Sequence, residues 1–103
     1  MIRKQEITTF EFLHDAVIWD VREAKSYAEG HVQGAVNQPI DGLDAQQLQQ
    51  VPTNQPIYLL CGGGSKAPRA AEKLEGLDAD REYVILMGGT RAARDAGLPI
   101  IVE

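Results

Sequence analysis

Four short runs of apolar residues punctuate the chain: "AVIWDV" (16–21), "GAVNQPI" (34–40), "PIYLLC" (56–61) and "EYVILM" (82–87). The first is rich in β-branched and aromatic residues and carries a carboxylate, Asp20, near its end. The second is a short extended candidate, and the last two are continuously apolar. Runs that are apolar on both faces suit strands buried between two helical layers, the signature of a parallel sheet. Helical patterns fall between them, over Thr9 to Asp15, Glu23 to Glu29, Leu43 to Gln50, Ser65 to Leu74 and Thr90 to Ala96. This alternation predicts an α/β fold, a three-layer α/β/α sandwich around a mainly parallel sheet. With no internal repeat, low-complexity tract or long linker, residues 1–103 read as one domain.

The stretch "YLLCGGGSKA" (58–67) is the most unusual, because a strand ends on the only cysteine and runs through three glycines into a helix. In that helix Ala67, Ala70, Ala71 and Leu74 recur at i, i+3, i+4 and i+7, a small apolar stripe able to pack closely on a sheet. Pro68 is compatible with a first turn, where its missing N–H has no intrahelical partner, so the helix begins near Ser65 or Lys66. Ligands of open parallel sheets sit beyond the carboxyl ends of the strands, which is where Cys61 falls. Glycines at 62–64 free the backbone to curl its amides into an anion-binding cup, and the following helix adds its amino-terminal amides. The thiolate is both an anion and the reactive form of cysteine. The structural alternative is a small buried hydrophobe followed by an ordinary chain reversal. The stretch alone leaves both readings open.

Composition narrows the partners. With 44% hydrophobic and 24% charged residues, the chain has the make-up of a folded domain rather than of a disordered one. No apolar run reaches membrane-spanning length, and "MIRKQEITTF" has charges without a signal-peptide core, so a soluble cytoplasmic protein is expected. One cysteine excludes an internal disulfide, and His14 and His31 match no ligand spacing, so no metal site is expected. A formal charge of −5 with no Lys/Arg cluster argues against nucleic acid. Small molecules and proteins are the expected partners.

Taken together, the segments resemble a single-domain rhodanese, the sulfurtransferase fold. "WDVREAKSYAEGHVQGAVNQPI" (19–40) is similar to the family's amino-proximal signature through Asp20, Arg22, Tyr27, Gly30, His31, Gly34, Ala35, Asn37 and Pro39. "CGGGSKA" resembles the active-site loop, with Cys61 and Gly64 in place. "LMGGTRAARDAGLPI" (86–100) resembles the carboxyl-proximal signature in its Gly-Gly and its closing Ala-Gly-Leu-Pro. The resemblance runs from about Ile7 to Val102 and implies a central sheet of about five strands. Two positions depart from the pattern. Lys66 stands where the loop's usual arginine would be, keeping the charge but not the planar fork. Ala93 stands where an aromatic residue is usual, a change of packing rather than of chemistry.

The resemblance implies a sulfurtransferase in which Cys61 takes the outer sulfur of a donor such as thiosulfate. The sulfur is carried as a persulfide and released to cyanide or a thiol, without metal or organic cofactor. The amides of Gly62, Gly63, Gly64, Ser65 and Lys66 would hold the anionic sulfur, and Lys66 would draw in an anionic donor. Asp20 and Arg22 read as supporting residues in polar contact with each other or with Glu29, and His31 as a hydrogen-bonded turn residue. His14 reads as solvated, and Trp19, Leu59, Leu60 and Leu86 as core. Phosphatase and arsenate-reductase relatives carry Cys-x5-Arg, a loop one residue longer; here the basic residue, Lys66, stands at Cys-x4, the next position is Ala67, and Arg69 comes two residues too late. The smaller cup suits a sulfane sulfur. The alternatives are a rhodanese-like binding, regulatory or sulfur-carrier module with little turnover, serving a sulfur-accepting protein, and thiol-redox chemistry such as arsenate reduction with an external thiol.

Overall fold

A computed structural model describes every residue except His14 and Gly64. Its central sheet is built from β1 (Ile2–Glu6), β2 (Val17–Asp20), β4 (Val36–Asn37), β5 (Ile57–Leu60) and β6 (Tyr83–Met87) in the order β1-β6-β5-β2-β4. Every pairing in it is parallel. The helices are α1 (Ala24–Glu29), α2 (Ala45–Gln49), α3 (Lys66–Leu77) and α4 (Gly89–Asp95). Consecutive residues of the strands divide between two cores. Trp19, Leu59 and Ile85 join the cluster that contains the α3 stripe, Ala67, Ala70, Ala71 and Leu74. Their neighbours Ile18, Leu60 and Leu86 join the cluster that contains Ala93 of α4. Side chains alternate across a strand, so two cores mean a sheet covered on both faces, which is the expected three-layer α/β arrangement.

The four expected strands and four of the five expected helices form, with ends shifted by one to three residues. Asp44 explains one shift: its Oδ1 accepts from Gln46 N (2.8 Å) and Gln47 Oε1 accepts from Asp44 N (2.9 Å). This capping box starts α2 after Leu43, not at it. The fifth helix, over Thr9 to Asp15, does not form. A 3-10 turn spans Ile7–Thr9, and among the described residues no helix follows it before β2. Phe10 and Phe12 pack edge to face at 4.7 Å, and Phe10 lies 4.5 Å from Tyr58. Residues i and i+2 meet on one side of an extended chain and point apart on a helix, so aromatic packing overrides the helical pattern. The expectation for His14 lies outside the described residues.

Strand β1 has no counterpart among the expected elements. It pairs along its whole length with β6, from Ile2 opposite Tyr83 to Glu6 opposite Met87. As an edge strand it exposes Arg3, Lys4 and Glu6, so its sequence lacks an apolar run; charges of this kind also protect an edge from pairing with another chain. A second small sheet pairs β3 (His31–Val32) antiparallel with β7 (Ile100–Ile101), a departure from the parallel alternation.

Candidate active site

The sheet order sets β6, β5 and β2 side by side, all parallel, so the loops that follow them emerge at one edge. The loop after β2 carries Arg22, the loop after β5 carries Cys61 and its glycines, and the loop after β6 carries Gly88 and the start of α4.

Cys61 is 2% exposed and belongs to the core cluster shared by β5 and α3. Its backbone is held from two sides. Val21 N donates to Leu60 O (2.9 Å), while Thr90 N donates to Cys61 O (2.8 Å) and Arg91 N to Gly62 O (2.9 Å). The last two bonds dock α4 directly on the cysteine loop. They require Gly89, whose φ is +59°: a Cβ there would lie 2.3 Å from Cys61 O. The Gly-Gly of the carboxyl-proximal stretch is thus the place where one loop rests on another. Ser65 is exposed, and Lys66 is half-buried as the first residue of α3. Gly64, expected in the cup, lies outside the described residues.

Asp20 and Arg22 form an ion pair at this edge. Asp20 is fully buried and receives Arg22 Nη2 at 2.8 Å, Arg22 Nε at 3.0 Å and the Arg22 amide at 3.1 Å. Burying a carboxylate is costly unless it is paired and hydrogen-bonded, and Arg22 does both. The second partner of Arg22 is the carbonyl of Gly30, at 2.7 Å, and not the Glu29 carboxylate. Asn37 Nδ2 closes the unit by donating to Asp20 O (3.1 Å) and Arg22 O (2.9 Å). His31 is hydrogen-bonded, but from a strand rather than a turn. Buried in β3, its Nδ1 donates to Tyr27 O (2.9 Å) and its ring stacks on Tyr27 at 3.7 Å. The Tyr27 hydroxyl donates to Ala35 O, and burial raises its pKa. Arg22 thus ties the end of β2 to Gly30, and His31 ties β3 to the carbonyl of Tyr27 in α1.

Above the loop lies a polar cavity of about 230 Å³ lined by Arg22, Gly62, Gly63, Thr90, Arg91 and Arg94. Gly62 and Gly63 are flanked by arginine stems and heads. A Cβ on Gly62 would meet Arg22 Cδ at 3.6 Å, and one on Gly63 would meet Arg91 Cζ at 3.6 Å. The sequence reading missed Thr90, Arg91 and Arg94. The available signal was their position: the three residues follow Gly-Gly, and Arg91 and Arg94 are three apart on a helix, hence on one face. Lys66 is not among the described residues lining this cavity. Ala93 sits between the arginines in sequence and is fully buried in the second core, a packing position as expected.

Comparison with known proteins gives the same architecture. In Bacillus subtilis, the "Uncharacterized protein YqhL" is 37% identical over 59 residues, 57% of this chain and 46% of that protein. The "Putative sulfur carrier protein YrkF" of the same organism is 29% identical over 72 residues, 70% of this chain and 37% of its own. The chain thus spans less than half the length of these curated relatives. Among solved structures, the rhodanese-like domain of Alr3790 from Anabaena sp. superposes with a TM-score of 0.76 at 27% identity, covering 85% of this chain and 93% of that one. A thiosulfate sulfurtransferase from Pseudomonas aeruginosa gives a TM-score of 0.76 at 30% identity, over 85% of this chain and 17% of its own. The sequence pattern of the rhodanese-like domain matches residues 8–96, and with the parallel sheet and the loop placement this makes the chain a member of the rhodanese-like domain family.

Proposed function

We propose that the protein transfers sulfane sulfur through Cys61. The observation that carries this reading is the position of Cys61. It ends the middle strand of a five-stranded parallel sheet and opens a glycine turn that borders a small polar cavity. Burial at 2% would suit an inert core cysteine equally well, but an inert position has no need of an arginine-lined cavity at its turn. In the first half-reaction the Cys61 thiolate attacks the outer sulfur of thiosulfate. A new S–S bond forms, the old one breaks, and its electron pair leaves with sulfite, so the thiolate and thiosulfate become a Cys61 persulfide anion and sulfite. In the second, a thiolate or cyanide attacks the outer persulfide sulfur and regenerates the Cys61 thiolate. Amides of the 62–66 loop and the first turn of α3 stabilise the anionic sulfur. Two half-reactions through one covalent intermediate predict ping-pong kinetics.

Intact-protein mass spectrometry after incubation with thiosulfate tests the reading. The expected result is a mass increase of one sulfur that cyanide or dithiothreitol removes and that is absent in Cys61→Ser. No added sulfur with thiosulfate, polysulfide or a persulfide donor would overturn it. A second reading, a sulfur carrier with little turnover of its own, draws on the name of YrkF. It predicts the same persulfide, discharged slowly to cyanide and rapidly to a protein acceptor.

A further inference from the structure

The polar cavity contains more positive charge than the cysteine loop itself accounts for. Arg91 and Arg94 project from one face of α4, and among the described residues neither makes a salt bridge or a side-chain hydrogen bond. No carboxylate is among the described residues lining the cavity; the nearest in sequence to Arg22, Asp20, is already bound to it. Exposed arginines on a helix are most often simply solvated, so charge alone decides nothing. The deciding group is Thr90. It is 2% exposed, lines the same cavity, and its Oγ1 is a buried side-chain atom without a hydrogen-bond partner among the described residues. A buried hydroxyl left unsatisfied costs stability, and such a group in a native protein calls for an explanation, of which a bound anion or ordered water is one.

We propose that Thr90, Arg91 and Arg94 form an oxyanion subsite that seats the tetrahedral, charged end of the sulfur donor. This deepens the sulfur-transfer reading and rests on it for the identity of the cargo. The guanidinium of Arg91 lies within van der Waals distance of where a Gly63 side chain would start, so an anion held on it is also held against the turn that follows Cys61. Guanidinium supplies a planar fork that matches two oxygens of a sulfonate-type group, a geometry that Lys66 cannot offer. Arg91, from a neighbouring element, therefore takes the part that a loop arginine would have played. The donor class that fits is one whose sulfane sulfur is bonded directly to an oxyanion group. When the S–S bond breaks, the sulfite that leaves carries its added electron pair on the group these residues hold, so they stabilise the leaving charge as well as binding the donor.

The test separates the subsite from the chemistry. Sulfate binding to Cys61→Ser protein, measured by titration calorimetry, reads the subsite without any sulfur transfer. Adding Arg91→Met is expected to weaken it by roughly ten- to hundredfold, the effect of losing charge-assisted hydrogen bonds. Lys4→Met, which removes the same charge from the exposed edge strand β1, is expected to leave it unchanged. Thr90→Val is close to isosteric and breaks no bond of the hydroxyl to a described residue, so it is expected to weaken sulfate binding with no loss of folding stability. In the otherwise native protein, Arg91→Met is expected to slow persulfide loading by thiosulfate by the same factor and loading by inorganic polysulfide by much less. Absence of sulfate binding to Cys61→Ser, or equal sulfate affinity and equal thiosulfate loading with and without Arg91, would sink the proposal. Arg91-dependent sulfate binding in a protein that forms no persulfide with either donor would leave the subsite standing and overturn the sulfur-transfer reading instead.

Discussion

Tyr83 shows how one side chain can tie distant parts of this fold together. It begins β6, is fully buried, and its hydroxyl shares its one proton between Asp78 O (2.6 Å) and Leu74 O (3.1 Å) at the carboxyl end of α3. Burial, reinforced by the nearby Asp78 carboxylate, pushes its pKa up to about 12 from the usual 10. The folded state thus favours the neutral phenol. Its stabilising effect is complete below pH 10 and is lost as the pH rises from 10 towards 12, where the unfolded chain sheds the proton first. Urea unfolding over that range is expected to show a steeper fall in stability for the native protein than for Tyr83→Phe. At neutral pH the variant is expected to be less stable by about 1 kcal/mol through loss of the hydroxyl's hydrogen bonds. Other single residues were legible from sequence to differing degrees. Asp20 and Arg22 were recognisable as a polar pair, because two opposite charges two apart at a strand end can meet. Gly30 as the second acceptor of Arg22 was not, because a backbone carbonyl leaves no mark on residue type.

At the level of elements, the junction between the cysteine loop and α4 is the tightest fit near the site. Gly88 and Gly89 both have positive φ, and only Gly89 faces the backbone of Cys61. Gly89→Ala would have to adopt a left-handed backbone, costing roughly 1–2 kcal/mol. It would also push a methyl group into the Cys61 carbonyl, a backbone atom that cannot swing aside. The expected outcome is a loss of stability above about 2 kcal/mol in chemical denaturation, together with slower persulfide formation, since Thr90 N and Arg91 N would lose their acceptors. Unchanged kinetics in a folded Gly89→Ala protein would show that α4 docking has no bearing on the cysteine. Buried strands and the α3 stripe were readable because periodicity records which side of an element meets the core. The stretch around Phe10 and Phe12 was misread for the same reason: its aromatic contacts come from Tyr58, far along the chain, and local spacing mimicked a helix.

For the molecule as a whole, the sign of the charge changes with distance. The net charge of −5 would repel a divalent anion, yet the candidate site gathers Arg22, Arg91 and Arg94 around one cavity. Salt distinguishes the two fields. If the local arginines dominate, the apparent KM for thiosulfate should rise severalfold between about 20 and about 300 mM salt, as the screening length shrinks to a few ångströms. If the net charge dominates, KM should fall over the same range, and steady-state rates decide between them. By itself the sequence determined the α/β layering, the central strands and the position of Cys61 at a strand end, because burial and chain reversal leave periodic and glycine-rich traces in the residues concerned. It also contained the family resemblance that the match over residues 8–96 bears out. Only the tertiary structure decided that α4 rests on the cysteine loop, that the Thr90 hydroxyl is buried with no partner among the described residues, and that Arg91 stands over Gly63. Those facts depend on β6 lying next to β5, a pairing between segments more than twenty residues apart. Strand order is set by the packing of the whole sheet, and no local pattern of residues records it.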